Sequence, residues 1–301
     1  MKIAVALNPA AGKGRSLRYR DAIASALDLY PIEAEWISAP NRPGAMDAER
    51  LISRGIDALV VVGGDGLIHD AVNAIGDSHL PLGIIAAGSG NDIAREFGLP
   101  IHSVHDSMHQ IAASLLTGRS RCVDVVDIQW SGGSERALAI VSVGIDADTN
   151  HRTNNLSWPK GNLRYVRGLV GSLLNYRPYG VQITMNGDTV AGSMTLLSIA
   201  NTRYFGGGFC IAPQAVPDDG LLDVVVTPGF RYADIATRLS KLLIHKHTSD
   251  SQVHVYRTRE IQVEHAPQHG APLPVIMADG EEICPAPATI RVLPKALRLV
   301  L

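Results

Sequence analysis

Over roughly its first 120 residues the chain alternates short β-branched runs with helix-patterned stretches, a rhythm that a sheet with crossover helices accommodates. Strands are expected at 3–7, 34–37, 58–62 and 82–86, and helices at 16–29, 44–54, 66–75, 92–97 and 104–116. The 58–62 run reads Ala-Leu-Val-Val-Val, apolar throughout, as a strand covered on both faces requires. In such sheets ligands sit beyond the carboxyl ends of the strands.

The rhythm changes near Arg121. From there to about residue 285, strand-like segments are broken by glycines, at 122–130, 137–143, 181–185, 194–200, 222–226, 253–263 and 275–278. Helices are expected at 162–175 and 232–247. The pattern suggests a mostly antiparallel sandwich or barrel. The expected class is therefore α/β plus mostly β. A Rossmann-like α/β domain covers 1–121, and an antiparallel β-sandwich domain covers 122–287. The closing apolar run within 288–301 is expected to pack back on the first domain.

With 27 Lys+Arg against 29 Asp+Glu the formal charge is −2, so the chain has no global field suited to nucleic acid. A hydrophobic content of 46% argues against intrinsic disorder. Cys122, Cys210 and Cys284 are far apart and lack CxxC spacing, which speaks against a disulfide framework or zinc site and for a reducing cytoplasm. No signal peptide is expected, because the apolar run after Lys2 ends at Asn8 and Pro9 without a cleavage pattern. No apolar stretch reaches the length of a membrane span, so dealings with lipid are expected from the surface.

Chemistry concentrates in the turns after the strands. Asn8-Pro9-Ala10-Ala11-Gly12-Lys13-Gly14 offers bare backbone amides before a helix N-terminus, which suits a phosphate. It is neither a Walker A loop nor a dinucleotide fingerprint, and an ordinary strand-to-helix turn is the competing reading. Gly63-Gly64-Asp65-Gly66 follows the third strand and permits close backbone approach to a phosphate. Asp65 there would meet a metal or a proton, or else cap the helix. The fourth strand leads to Gly88-Ser89-Gly90-Asn91-Asp92. All three turns are expected on one sheet edge.

These segments resemble the diacylglycerol kinase catalytic domain family, which includes bacterial diacylglycerol kinases and sphingosine-kinase-like lipid kinases. The resemblance continues through Asn73, Arg95 and the segment Asn201-Thr202-Arg203-Tyr204-Phe205-Gly206-Gly207-Gly208. Asp218-Asp219-Gly220-Leu221-Leu222-Asp223 and Asp279-Gly280-Glu281 complete it, in order and over nearly the whole chain. It implies an ATP-dependent lipid kinase with its nucleotide in the cleft between the domains. Asn8, Pro9, Ala10, Ala11 and Gly12, then Gly64, Asp65, Gly66, Leu67, Ile68, His69 and Asp70, and also Ser89, would contact ATP. Asp65 would take part in catalysis at the phosphates, and Glu281 would accept the proton of the substrate hydroxyl. Asp219, with the backbone carbonyls of Val216 and Leu221, would hold Mg2+. Amide-rich loops, magnesium and a carboxylate base are also what phosphoryl transfer requires on physical grounds.

Diacylglycerol, converted to phosphatidic acid, is the leading acceptor implied. A peripheral membrane surface is the expected partner, nucleic acid is not, and a homodimer stays open. The family usually has Thr, often followed by Asn and Glu, where this chain has Leu67, His69 and Asp70. Ser89 keeps a hydroxyl where Thr is more frequent, and Ala74 stands where Gly is common. A catalytically impaired nucleotide- or lipid-binding protein is therefore one alternative. A NAD kinase-like enzyme, whose family shares the Gly-Gly-Asp-Gly turn, is another.

Residues 160–177 mix Lys160, Arg164, Arg167 and Arg177 with Leu163, Val166, Leu169, Val170, Leu173 and Leu174. Such a helix lies on anionic headgroups, or packs its apolar face inward as an ordinary domain helix does.

Overall fold

The computed structural model describes residues 1–7, 16–38, 46–101, 103–156, 158, 162–174, 176–230 and 250–301. The chain forms two compact units, Met1–Val123 with Lys295–Leu301, and Asp124–Pro294.

The first unit begins with β1 (Lys2–Leu7), α1 (Ser16–Leu27), β2 (Glu33–Ser38) and α2 (Ala48–Ser53). It continues with β3 (Ala58–Gly63), α3 (Asp65–Ile75), β4 (Leu82–Ala86), α4 (Asp92–Glu96) and α5 (Val104–Thr117). β1 lies between β2 and β3, and β3 pairs with β4, all in parallel. At the chain end Leu299 and Val300 pair in parallel with Leu82 and Gly83. Every residue of β3 and β4 is buried, the consequence of strands with apolar residues on both faces. α1 contributes Ile23, Ala26 and Leu27 to the core beneath the sheet, and α5 contributes Met108, Ile111 and Ala112, each set at helical spacing. Ser103 caps α5 by accepting the Asp106 N–H at 3.2 Å.

The second unit contains β5 (Arg121–Trp130, most of it), β6 (Gly133–Ala137), β7 (Ile140–Gly144), α6 (Ile145–Asn154) and α7 (Asn162–Leu174). Then come β8 (Tyr179–Met185), β9 (Asp188–Ala200), β10 (Tyr204–Phe205), β11 (Phe209–Cys210), β12 (Leu222–Pro228) and β13 (His254–Thr258). β14 (Glu260–His265), β15 (Ile276–Ala278), β16 (Glu281–Cys284) and β17 (Ala288–Val300, as far as Pro294) follow. β9 takes β8 along its first half and both β7 and β12 along its second, all antiparallel. Their inward side chains, among them Val141, Val143, Leu197, Ile199, Val224, Ile261 and Ile290, form one core.

Two expected strands are each divided. The 137–143 run breaks into β6 and β7 because the N–H groups of Leu138 and Ala139 leave the ladder and donate to the Asp279 carboxylate, at 2.8 Å each. The 253–263 run breaks at Arg259, where the chain changes partners: β13 pairs with β12, whereas β14 pairs with β8 and β17. Thr258 marks the break, its hydroxyl donating to the Glu260 carbonyl at 2.7 Å. α6 was not anticipated. The expected helix at 232–247 and the start of that at 44–54 lie outside the described residues.

Candidate active site

In the first unit, two of the glycine-bearing turns meet. β3 ends at Gly63, Gly64 caps α3 with an extended backbone, and Asp65 opens the helix. The Ala87 N–H donates to the Gly63 carbonyl at 2.8 Å, carrying the β3–β4 ladder one step past the strands. Gly64 and Gly88 then touch backbone to backbone: a Cβ on Gly88 would collide with the Gly64 Cα. No side chain fits between them, so these glycines are required by packing as well as by any ligand. Asn91, in a left-handed conformation with φ of 55°, closes the second turn. Its side-chain oxygen accepts the Gly88 N–H at 2.9 Å, and its amide donates to the Gly88 carbonyl at 3.0 Å.

Asp65 is the first residue of α3, with Gly64 as its N-cap. Its carboxylate accepts the N–H of Ile93 at 3.1 Å, tying the start of α3 to the start of α4. Arg95 adds a positive charge behind the turn, donating to Asp92 at 2.6 Å and to the Gly90 carbonyl at 3.3 Å. Gly64, Asp65 and Gly66 are half-buried, while Asp70 and Ser89 are exposed. Leu67, Ile68 and His69 are buried, so their side chains pack the unit's interior and only their backbone is suited to meet a phosphate. Asn8, Pro9, Ala10, Ala11 and Gly12 lie outside the described residues.

In the second unit, β15 and β16 form a hairpin whose two turn residues, Asp279 and Gly280, both have positive φ (52° and 91°). That is the turn sense that matches strand twist. Asp279 acts as a clasp for the 138–139 backbone, as described above. Asn201 holds the same segment from the other side, donating to the carbonyls of Leu138 at 2.8 Å and Asp124 at 3.0 Å. The hairpin thus presents Glu281, the first residue of β16, on the surface. Beside it His151 meets Glu282, and the Asn154 amide donates to the Gly280 carbonyl at 2.7 Å.

Asp124 was not anticipated as a framework residue. Fully buried, it accepts the Gly220 N–H at 2.6 Å, and its own N–H donates to the Pro217 carbonyl at 2.7 Å. It thereby shapes the 217–221 turn. The available signal was a pair of carboxylates, Asp124 and Asp127, inside a largely apolar strand. A second missed residue is Asp146 in the first turn of α6, which accepts from the Ser198 hydroxyl at 2.9 Å and the Ala147 N–H at 3.1 Å. Burial pushes its carboxyl up to about 7, against the opposing pull of hydrogen bonds from Ser142, Ser198 and Ala147.

The residues expected to hold magnesium make contacts of their own within the chain. One oxygen of Asp219 accepts the Leu221 N–H at 3.0 Å, and the other forms an ion pair with Arg257. The same guanidinium stands 3.5 Å from buried Asp223. A cation is therefore already supplied to this pair of carboxylates by the chain itself. Among the described residues no group of three or more His, Cys, Asp or Glu is arranged to hold a metal ion.

Comparison with known proteins matches both parts of the chain. Residues 2–128 match the diacylglycerol kinase catalytic domain, and residues 139–301 match the YegS C-terminal NAD kinase beta sandwich-like domain. A diacylglycerol kinase of Mycobacterium tuberculosis (strain H37Rv) is 32% identical over 309 residues, spanning 99% of this chain and 94% of that protein. A diacylglycerol kinase of Bacillus subtilis (strain 168) is 24% identical over 219 residues, spanning 72% of this chain and 70% of its own. A crystal structure of a diacylglycerol kinase from Bacillus anthracis shares the fold, with a TM-score of 0.76 at 20% identity, covering 99% of this chain and 96% of that one. With both domain types matched and this identity sustained along nearly the full length, the chain belongs to the diacylglycerol kinase family and is a lipid kinase.

Proposed function

We propose that this lipid kinase transfers the γ-phosphate of ATP to the free hydroxyl of diacylglycerol, giving phosphatidic acid and ADP. The observation that carries the reading is the backbone contact between Gly64 and Gly88, which brings two amide-rich strand-to-helix turns together at the carboxyl edge of a parallel sheet. That is where a polyphosphate is held in folds of this class. In this reading Asn8 to Gly12, Gly64 to Asp70 and Ser89 bind the nucleotide, with Leu67, Ile68 and His69 contributing backbone only. Asp65 acts at the phosphates.

Glu281 is the proposed base. Its carboxylate takes the proton of the lipid hydroxyl as that oxygen bonds to the γ-phosphorus, and the bond from the γ-phosphorus to the β–γ bridging oxygen breaks to release ADP. Exposure of Glu281 on the hairpin supports this, since an acceptor hydroxyl has to reach it. Magnesium, as the proposed cofactor, accompanies the nucleotide and neutralises its phosphates.

The test is incubation of the purified chain with γ-labelled ATP, Mg2+ and either a total lipid extract or NAD. Label is expected in a lipid that co-migrates with phosphatidic acid. Label in NAD would favour a NAD kinase-like enzyme, and tight ATP binding with no labelled acceptor would favour an impaired binding protein.

A further inference from the structure

Two histidines stand one turn apart on α5. Met108, Ile111 and Ala112 are buried in the core of the first unit and set the rotation of the helix. Its first turn is braced by the Ser107 hydroxyl, which donates to the Ser103 carbonyl at 2.7 Å. His105 and His109, at positions i and i+4, therefore lie side by side at the border of that apolar stripe. Their ring centroids are 4.4 Å apart, with the planes at 69°. His105 is exposed and His109 half-buried, so the pair opens to solvent.

Each ring turns its Nδ1 toward an oxygen. The Tyr30 hydroxyl, from the connection between α1 and β2, lies 3.0 Å from His109 Nδ1 and donates to the His109 carbonyl at 3.4 Å. With its one proton on the carbonyl, the hydroxyl oxygen accepts from Nδ1–H, an assignment that leaves the lone pair of His109 on Nε2. The Asp106 carboxylate stands 3.5 Å from His105 Nδ1 and favours a proton there as well. An oxygen partner on one ring nitrogen, with the other nitrogen left to donate its lone pair, is the arrangement that surrounds metal-bound histidines. Two imidazoles held at about 2.0–2.1 Å on one cation have centroids about 4.5–5 Å apart, so these rings need only small rotations to close on it.

We propose that His105 and His109 chelate a late first-row divalent cation of the Zn2+ type through their Nε2 atoms, with water filling the remaining positions. Imidazole nitrogen selects such a metal over Mg2+, which takes oxygen ligands. The site is an open two-histidine chelate and not a closed four-ligand one, in keeping with the lack of any metal-holding group of three or more His, Cys, Asp or Glu among the described residues. A bound cation joins successive turns of α5 and fixes the ring that Tyr30 holds. It thereby clamps the start of α5 to the connection between α1 and β2 and stabilises the folded chain by linkage. The pair shares no residue with the assignments for nucleotide, acceptor or magnesium, and does not depend on them.

The experiment is calorimetric titration of the full, untagged chain with Zn2+, in the absence of nucleotide. The chain has 11 histidines, so the variants and not the wild-type isotherm alone assign the site. Wild type is expected to bind one Zn2+ in its tightest step, with a raised melting temperature, and excess Mg2+ should not compete. His105→Asn and His109→Asn should each weaken that step by roughly tenfold or more, and the two together should remove it. Tyr30→Phe, which keeps both ligands and loses the hydroxyl behind His109, should weaken it by roughly tenfold. His105 is exposed, so His105→Asn is expected to melt as wild type does without metal, which separates loss of a ligand from loss of the fold. The proposal is overturned if wild type binds no Zn2+. It is also overturned if the double variant binds Zn2+ as tightly and in the same number as wild type, because other histidines then account for the binding.

Discussion

The carboxylate of Asp65 accepts the backbone N–H of Ile93 at 3.1 Å, so the residue assigned to the phosphates is also the strap between α3 and α4. The two duties separate on substitution. Asparagine keeps an acceptor oxygen for Ile93 and loses only the charge. Asp65→Asn is expected to melt within a few degrees of wild type while lipid kinase activity falls by roughly a hundredfold or more, the scale of a lost charged group at a reacting phosphate. Thermal melts and initial rates on the same preparation check this, and full activity in the variant would remove Asp65 from the chemistry.

Asp279 is expected to behave in the opposite manner. It accepts two backbone N–H groups and sits at φ of 52°, a conformation that asparagine and aspartate tolerate better than alanine. Asp279→Ala should cost about 2–4 kcal/mol in stability, from two hydrogen bonds to a charged acceptor, and Asp279→Asn distinctly less. Denaturant unfolding measures both. Equal stability for the alanine variant would mean that the clasp contributes nothing.

Asp146 makes stability depend on pH. Burial raises its carboxyl from 3.8 to about 7, so the folded state binds this proton more tightly than the unfolded chain does. Between those values the unfolded chain holds fewer protons, and stability falls as pH rises. The contribution is complete below 3.8 and is lost as pH climbs through about 7. Asp146→Asn lacks this loss, so its stability relative to wild type should increase across that window and level off above it. Parallel melting curves for the two proteins would contradict the assignment.

Arg257 occupies the carboxylates where the family resemblance expected a metal. Magnesium titration should therefore raise the melting temperature of Arg257→Gln more than that of wild type, because the variant leaves Asp219 and Asp223 without their cation. An equal or larger shift in wild type would show that magnesium displaces the arginine.

β3 and β4 of the first unit were legible because they are apolar on both faces and end in glycine turns, signals that lie within a few residues of one another. What escaped depends on distant partners. Nothing near Leu138 and Ala139 announces a strand break, since the acceptor responsible is Asp279, about 140 residues away. α6 carries Asp146, Asp148, Asn150, His151, Arg152 and Asn154 among few apolar residues, and so lacks the stripe that marks a helix. α7 shows the subtler limit. Its helical pattern was readable, but which face turns inward was decided by Gly168 against α6 and by Tyr165 against Phe205 and Phe209. At the candidate site the turn residues were legible from their types, whereas the burial of Leu67, Ile68 and His69 and the pairing of Asp219 with Arg257 are matters of packing and charge across the fold.

The central claim is tested most directly by phosphate transfer from γ-labelled ATP to diacylglycerol in mixed micelles, comparing wild type with Glu281→Gln. Wild type is expected to form labelled phosphatidic acid. The variant should bind ATP and melt as wild type does, with a rate lower by roughly a hundredfold to ten-thousandfold, the usual contribution of a general base. Phosphatidic acid formed equally fast by the variant, or none formed by wild type, would contradict the account.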